Sequence, residues 1–210
     1  MTRRPSPATV VGLAWLAGSI PFSNIAARLR AGVDLREVGG GTVSGTALHG
    51  VAGFGPLAVA GVADIAKGVV GPVLAGRDRP TLAALSSTAA VTGHNWSPWL
   101  GGAGGRGLSV AMGTLVVQNW PGTVVLASGL AAGRLCRQTG LGSFVAALAL
   151  VPVLARTRGR VGLVAGAGVT GVMLAKRLAG NRPPTRPSLD VYLHRLLYDC
   201  DPGVLEGEPS

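Results

Sequence analysis

An all-α fold, a polytopic membrane helix bundle with about seven transmembrane helices, is the class this sequence predicts, and three observations predict it. Hydrophobic residues fill 48% of the 210 positions and charged residues 13%, with a mean hydropathy of +0.43. That is too apolar for an ordinary soluble domain. The chain also carries 34 glycines and few aromatics, as expected of helices packed in lipid, where small residues let backbones approach. Its charges fall singly or in pairs between apolar segments, the pattern of loops that join spans.

The same scatter bounds the partners. The net charge is +10, yet no basic face gathers it and stacking aromatics are scarce, which argues against nucleic acid. Basic loops between apolar spans meet anionic lipid headgroups instead, so membrane lipids are the expected surroundings. Cys136 and Cys200 form no CxxC and pair with no histidine motif, so neither a disulfide nor a metal site is expected, and no cofactor.

The first span is predicted over residues 8–20 and continues past Pro21 to Leu29, long enough to cross a bilayer, and is preferred to a cleaved signal peptide. Residues 28–50 form the first polar loop. It joins a charged half, with Arg36, to a glycine and hydroxyl half, with Gly39 and Gly41. Such a loop serves either as an anion site or only to set orientation. Residues 49–76 are apolar except for Asp64 and Lys67, three apart and so on one helix face. Charges within a span are costly, which makes this pair a site candidate unless it snorkels from a helix end.

A short turn at 77–80 leads into a span over 81–92, which delivers the chain to His94. Further spans are expected over 108–117, 123–132, 141–154 and 161–175, with Arg156, Arg158 and Arg160 marking the last loop. Residues 1–180 thus read as a transmembrane domain. Residues 181–210 read as a polar cytoplasmic tail, disordered or with one short amphipathic helix over 189–198. The arginine balance places the N-terminus outside, and the C-terminus and both glycine-rich loops on the cytoplasmic side.

Between Gly101 and Gly107 stand five glycines and Arg106. Glycines let successive amides approach one anion, and a helix starting at Leu108 would add its positive end. This is phosphate-binding chemistry, although the spacing matches neither the Walker nor the dinucleotide pattern. A plain turn between membrane helices is the competing explanation.

Five motifs then agree with one family. Gly18-Ser19-Ile20-Pro21-Phe22, Val33-Asp34-Leu35-Arg36 with Val38-Gly39, Asp64 with Lys67-Gly68, Gly93-His94-Asn95 and Gly104-Gly105-Arg106-Gly107 resemble, in order and spacing, the bacterial membrane glycerol-3-phosphate acyltransferases that use acyl phosphate. The resemblance implies a seven-span inner (plasma) membrane protein that makes lysophosphatidic acid from acyl phosphate and glycerol 3-phosphate, without metal. It implies His94 and Asp64 as catalytic candidates. Arg36, Gly39, Gly41, Lys67, Gly104, Gly105, Arg106 and Gly107 become candidates for holding phosphate.

The chain departs from that pattern in three places. The family's first loop reads Gly-Ser-Gly-Asn, then Gly-Ala-Thr-Asn and an arginine, where this chain has Gly39-Gly40-Gly41-Thr42, Ser44-Gly45-Thr46-Ala47 and Gly50. Arg106 replaces the usual lysine. The last span lacks the family's His-Arg-x-Asn-Ile. A catalytically weakened homologue that binds phosphorylated lipid or a membrane partner is therefore the alternative expectation.

Overall fold

The computed structural model describes residues 4–184 and 186–202. Among these there are nine α-helices, one 3-10 turn and no strand: α1 (Pro7–Ser19), α2 (Phe22–Ala31), α3 (Gly45–Ala52), α4 (Phe54–Ala75), α5 (Pro80–Asn95), the 3-10 turn Pro98–Leu100, α6 (Leu108–Gln118), α7 (Trp120–Leu135), α8 (Thr139–Ala179) and α9 (Leu189–Tyr198). Three runs are long and apolar enough to cross a membrane, Pro7–Ala31, Phe54–Ala75 and Thr139–Ala179. Large apolar side chains such as Val59, Val62, Val145 and Leu163 are exposed, as a lipid solvent allows.

The first span is broken rather than continuous. Pro21 has no N–H to give, so the ladder stops at Ser19 and resumes at Phe22. At the break the Ile20 carbonyl accepts from Phe22 N at 3.1 Å and also from Lys67 Nζ at 2.5 Å, and the same ammonium pairs with Asp64 at 2.7 Å. Lys67 also lies over the Phe22 ring, 5.5 Å from its centroid. The buried Asp64–Lys67 pair therefore sits on the helix break, tying α4 to it through a second hydrogen bond to the Ile20 carbonyl. The second apolar stretch divides as well, at Gly53, whose φ of 79° ends α3.

Both of the last expected spans lie within α8, which contains a non-helical Gly159 (φ 57°, ψ −138°). Thr170 Oγ1 donates to Ala147 O at 2.7 Å, whereas on a straight helix that separation would be about 34 Å. The two halves fold back on each other. Arg156 and Arg158 belong to the helix rather than to a loop.

Close backbone approach holds the bundle. A Cβ on Gly18 would lie 2.1 Å from Ala90 O and one on Gly93 2.3 Å from Trp15 O, so α1 and α5 touch backbone to backbone. Gly68 and Gly113 do the same for α4 and α6, at 2.3 Å from Val110 O and 1.9 Å from Ile65 O. Val91, Val110, Leu115, Leu150, Leu154 and Val169 fill the centre. At one end, Arg79 donates to the carbonyls of Pro5, Leu74 and Ala75 and Arg4 pairs with Asp78.

Helix α9 occupies 189–198 of the expected tail; Ser188 Oγ caps it by accepting from Val191 N. It packs against the end of α8, where Arg177 Nη1 donates to Leu196 O at 2.7 Å. Of the tail expected over 181–210, disordered or with one short helix, residues 203–210 lie outside the described residues.

Candidate active site

Three segments far apart in sequence meet at one end of the bundle. The loop after α2 and the loop after α5 are tied together by Val43 N donating to Gly104 O at 3.2 Å. Asn181, just past α8, completes the join: its Nδ2 donates to Gly41 O (2.9 Å) and Gly104 O (2.8 Å) while its Oδ1 accepts from Gly104 N (3.1 Å). Arg182 reaches back to the carbonyls of Arg36 and Gly39 at 2.8 and 3.1 Å. Glycine is needed at the turns themselves, since Gly41 and Gly102 have φ of 68° and 87°.

These segments enclose a cavity of about 330 Å³ whose walls include Arg36, Gly41, Trp96, Gly102, Lys176 and Arg182. Three cations thus face glycine backbone around one small space, an arrangement suited to phosphate. Lys176 is 1% exposed. Its ammonium sits 5.1 Å from the Trp96 ring centroid and donates to Gly102 O at 3.3 Å.

Asp34 positions Arg36. Its carboxylate, 8% exposed, accepts from Arg36 Nη2 at 2.7 Å and also from Arg28, while Asn24 Oδ1 accepts from Leu35 N to fix the turn. The hydrogen bonds from Arg36 hold the Asp34 carboxyl well below the usual carboxylate range, against the opposing effect of burial. A depressed folded pKa gives stability that is present above the unfolded value of about 4 and lost as pH falls below it. Asp34→Asn should therefore lower the melting temperature at pH 7 and lower it less at pH 3. An equal difference at both pH values would exclude the pair as a pH-dependent contributor.

His94 is half-buried at the end of α5. Gly105 packs on its ring so closely that a Cβ there would lie 2.2 Å from Nε2, and Gly105 N donates to His94 O at 3.2 Å. Asp64, Lys67 and Lys176 are its charged neighbours. Gly107 caps α6 with φ 80° and abuts Asn95.

Of the residues expected to hold phosphate, Arg36 and Gly41 line the cavity. Gly39 and Gly104 shape it through their bonds to Arg182 and Asn181. Arg106 stands behind it: Nη1 donates to Lys176 O at 2.9 Å, Nη2 to Thr42 Oγ1 at 3.1 Å, and Nε pairs with Asp199 at 2.7 Å. Lys67 is committed to Asp64 and Ile20, and Asp64 also receives Ser23 Oγ at 3.5 Å. Sequence reasoning missed Lys176, Asn181 and Arg182. Their available signal was the run Lys176-Arg177 followed by Gly180-Asn181-Arg182 at the end of the last span.

A second feature adjoins this end. An apolar groove of about 540 Å³ between α1 and α5 is lined by Val11, Gly12, Trp15, Leu85, Thr88 and Thr92, the last of them two residues before His94.

The glycerol-3-phosphate acyltransferase family matches residues 8–181, which takes in every residue lining the cavity except Arg182. The chain belongs to the glycerol-3-phosphate acyltransferase family. Its relatives in that family include the glycerol-3-phosphate acyltransferase of Synechococcus sp. (strain CC9902), 31% identical over 200 residues that cover 94% of each chain. Another is that of Myxococcus xanthus (strain DK1622), 41% identical over 111 residues, 51% of this chain and 58% of the relative. The fold is similar to the crystal structure of PlsY, an integral membrane glycerol 3-phosphate acyltransferase, in its glycerol 3-phosphate form, with a TM-score of 0.75, 24% identity, and coverage of 82% of this chain and 88% of the other. Within the glycerol-3-phosphate acyltransferase fold, then, the cations described above surround a cavity built on the family's own loops.

Proposed function

We propose that this chain transfers the acyl group of an acyl phosphate to a hydroxyl of glycerol 3-phosphate, giving lysophosphatidic acid and inorganic phosphate. The observation that carries this reading is the convergence of Arg36, Lys176 and Arg182 on one glycine-walled cavity, beside an apolar groove between α1 and α5 suited to an acyl chain. Both substrates are phosphates, and positioned cations lower the barrier by holding the reactants together and by stabilising the leaving group.

In the reaction, the hydroxyl oxygen of glycerol 3-phosphate forms an ester bond to the acyl carbon while the bond from that carbon to the phosphate oxygen breaks. Phosphate departs with the electron pair. His94, set between Gly105 and the cations, takes the hydroxyl proton, and Asp64 acts through Lys67 to keep the Ile20 break in place. Arg36 and Lys176 hold phosphate, with Gly39, Gly41, Gly104, Gly105 and Gly107 shaping the walls and Arg106 supporting Lys176 from behind. The cavity faces the cytoplasm of the inner membrane, with the N-terminus outside and about seven crossings.

Purified full chain, mixed with acyl phosphate and glycerol 3-phosphate, should release phosphate and yield lysophosphatidic acid in equal amounts. No release above a heat-treated control would refute the reading. The missing family residues offer a second measurement, because Gly40 and Gly50 have open space where a Cβ would stand. Gly40→Ser with Gly50→Arg should raise kcat/KM by roughly tenfold or more, the scale of one hydrogen bond to a charged group. No change would mean that this chain fills those roles with other residues.

A further inference from the structure

The match to the family ends at residue 181, yet the chain continues into α9, and α9 grips the cavity from behind at two points. Arg195, 5% exposed, donates to Leu178 O, Ala179 O and Arg182 O at 3.3, 3.4 and 3.1 Å. It therefore clamps the turn that carries Asn181 and Arg182, and Asp201 pairs with the same guanidinium. Asp199, which ends α9 with φ 64°, pairs with Arg106 Nε at 2.7 Å, with side chains 14% and 21% exposed.

We infer that Asp199 is a positioning residue: by fixing Arg106 it sets Lys176 and Thr42 for phosphate, so this site depends on the C-terminal helix. Arg106 has a planar fork whose edges serve different partners, and here each edge goes to a different segment. Nε meets Asp199, Nη1 the backbone of Lys176, and Nη2 the hydroxyl of Thr42. A lysine has one point of charge and could not span all three. The arginine and the C-terminal carboxylate thus act as a unit. A carboxylate that blocked the site by mimicking phosphate is a different arrangement, since it would sit in the cavity, whereas neither Asp199 nor Arg106 lines it.

The inference rests on the cavity being the phosphate site, and the experiment separates the two. Glycerol 3-phosphate binding to the full chain is measured by calorimetry, and kcat and KM in the phosphate-release assay, for wild type, Asp199→Asn, Asp199→Glu, Arg106→Lys and the double variant Arg106→Lys/Asp199→Asn. Asp190→Asn, on the exposed first turn of α9, is the control and should match wild type. Asp199→Asn removes the charge that pairs with Arg106 and should bind about tenfold more weakly, a loss of about 1.4 kcal/mol, with the change in KM exceeding that in kcat. Asp199→Glu should recover part of the loss, and in the Arg106→Lys background the Asn substitution should cost little further. Wild type that binds but does not turn over would sink the acyl-transfer reading alone. Equal or tighter binding by Asp199→Asn, additive losses in the double variant, or no binding by wild type would each overturn the positioning role.

Discussion

Lys176→Met should weaken glycerol 3-phosphate binding by about 10- to 100-fold, the range for removing a charged hydrogen-bond partner worth about 1.5–3 kcal/mol. Methionine keeps the long apolar stem that Trp96 covers, so packing survives while the charge is lost. Lys176 carries the largest share of the three cations because it is the most buried, at 1% exposure, and water screens it least. Arg36, with a side chain 39% exposed, should cost less when changed to methionine. Calorimetry on the purified full chain measures both. Unchanged affinity in Lys176→Met would move the anion site out of this cavity, with Arg106 the next cation to test.

The sequence made the helices legible because lipid imposes a length and an apolarity on each one, and the arginines at 156–160 marked where the last run turns. It did not show the break at Ile20. A hydropathy pattern carries no information about which side chain meets the backbone at a break, and here that side chain, Lys67, lies 47 residues on. The same pair had suggested a site, since burial of charge in a span looks alike whether it serves catalysis or ties a helix break.

The two glycine-rich loops were legible from composition, as was Arg36. The third wall of the cavity was not. Lys176, Asn181 and Arg182 sit at a helix end in no recognisable motif, and their roles come from contacts such as Asn181 to Gly41, 140 residues apart. Arg106 shows the opposite limit: its charge was visible, but its direction depends on Thr42, Lys176 and Asp199, which only folding brings together.

Gly105→Ala should reduce the rate of phosphate release by about 10²–10³-fold, the effect of losing one positioned group at a reacting centre. The new Cβ would stand 2.2 Å from His94 Nε2 and 2.9 Å from Val43 O, so either the imidazole swings away or the two loops part. Both outcomes disturb the site, while the bundle beneath it stays packed. Gly113→Ala supplies the contrast: its Cβ would lie 1.9 Å from the backbone oxygen of Ile65, and neither α4 nor α6 can yield without unpacking. Overpacking of that kind costs about 1–3 kcal/mol, so Gly113→Ala should lower the melting temperature more and lose activity only as far as folded protein is lost. Gly61→Ala, with open space around it, should change neither. Measured together, rate per folded molecule should fall for Gly105→Ala alone. A Gly105→Ala protein that melts and turns over like wild type would show that the His94 ring has room to move without consequence, and would remove His94 from the reaction.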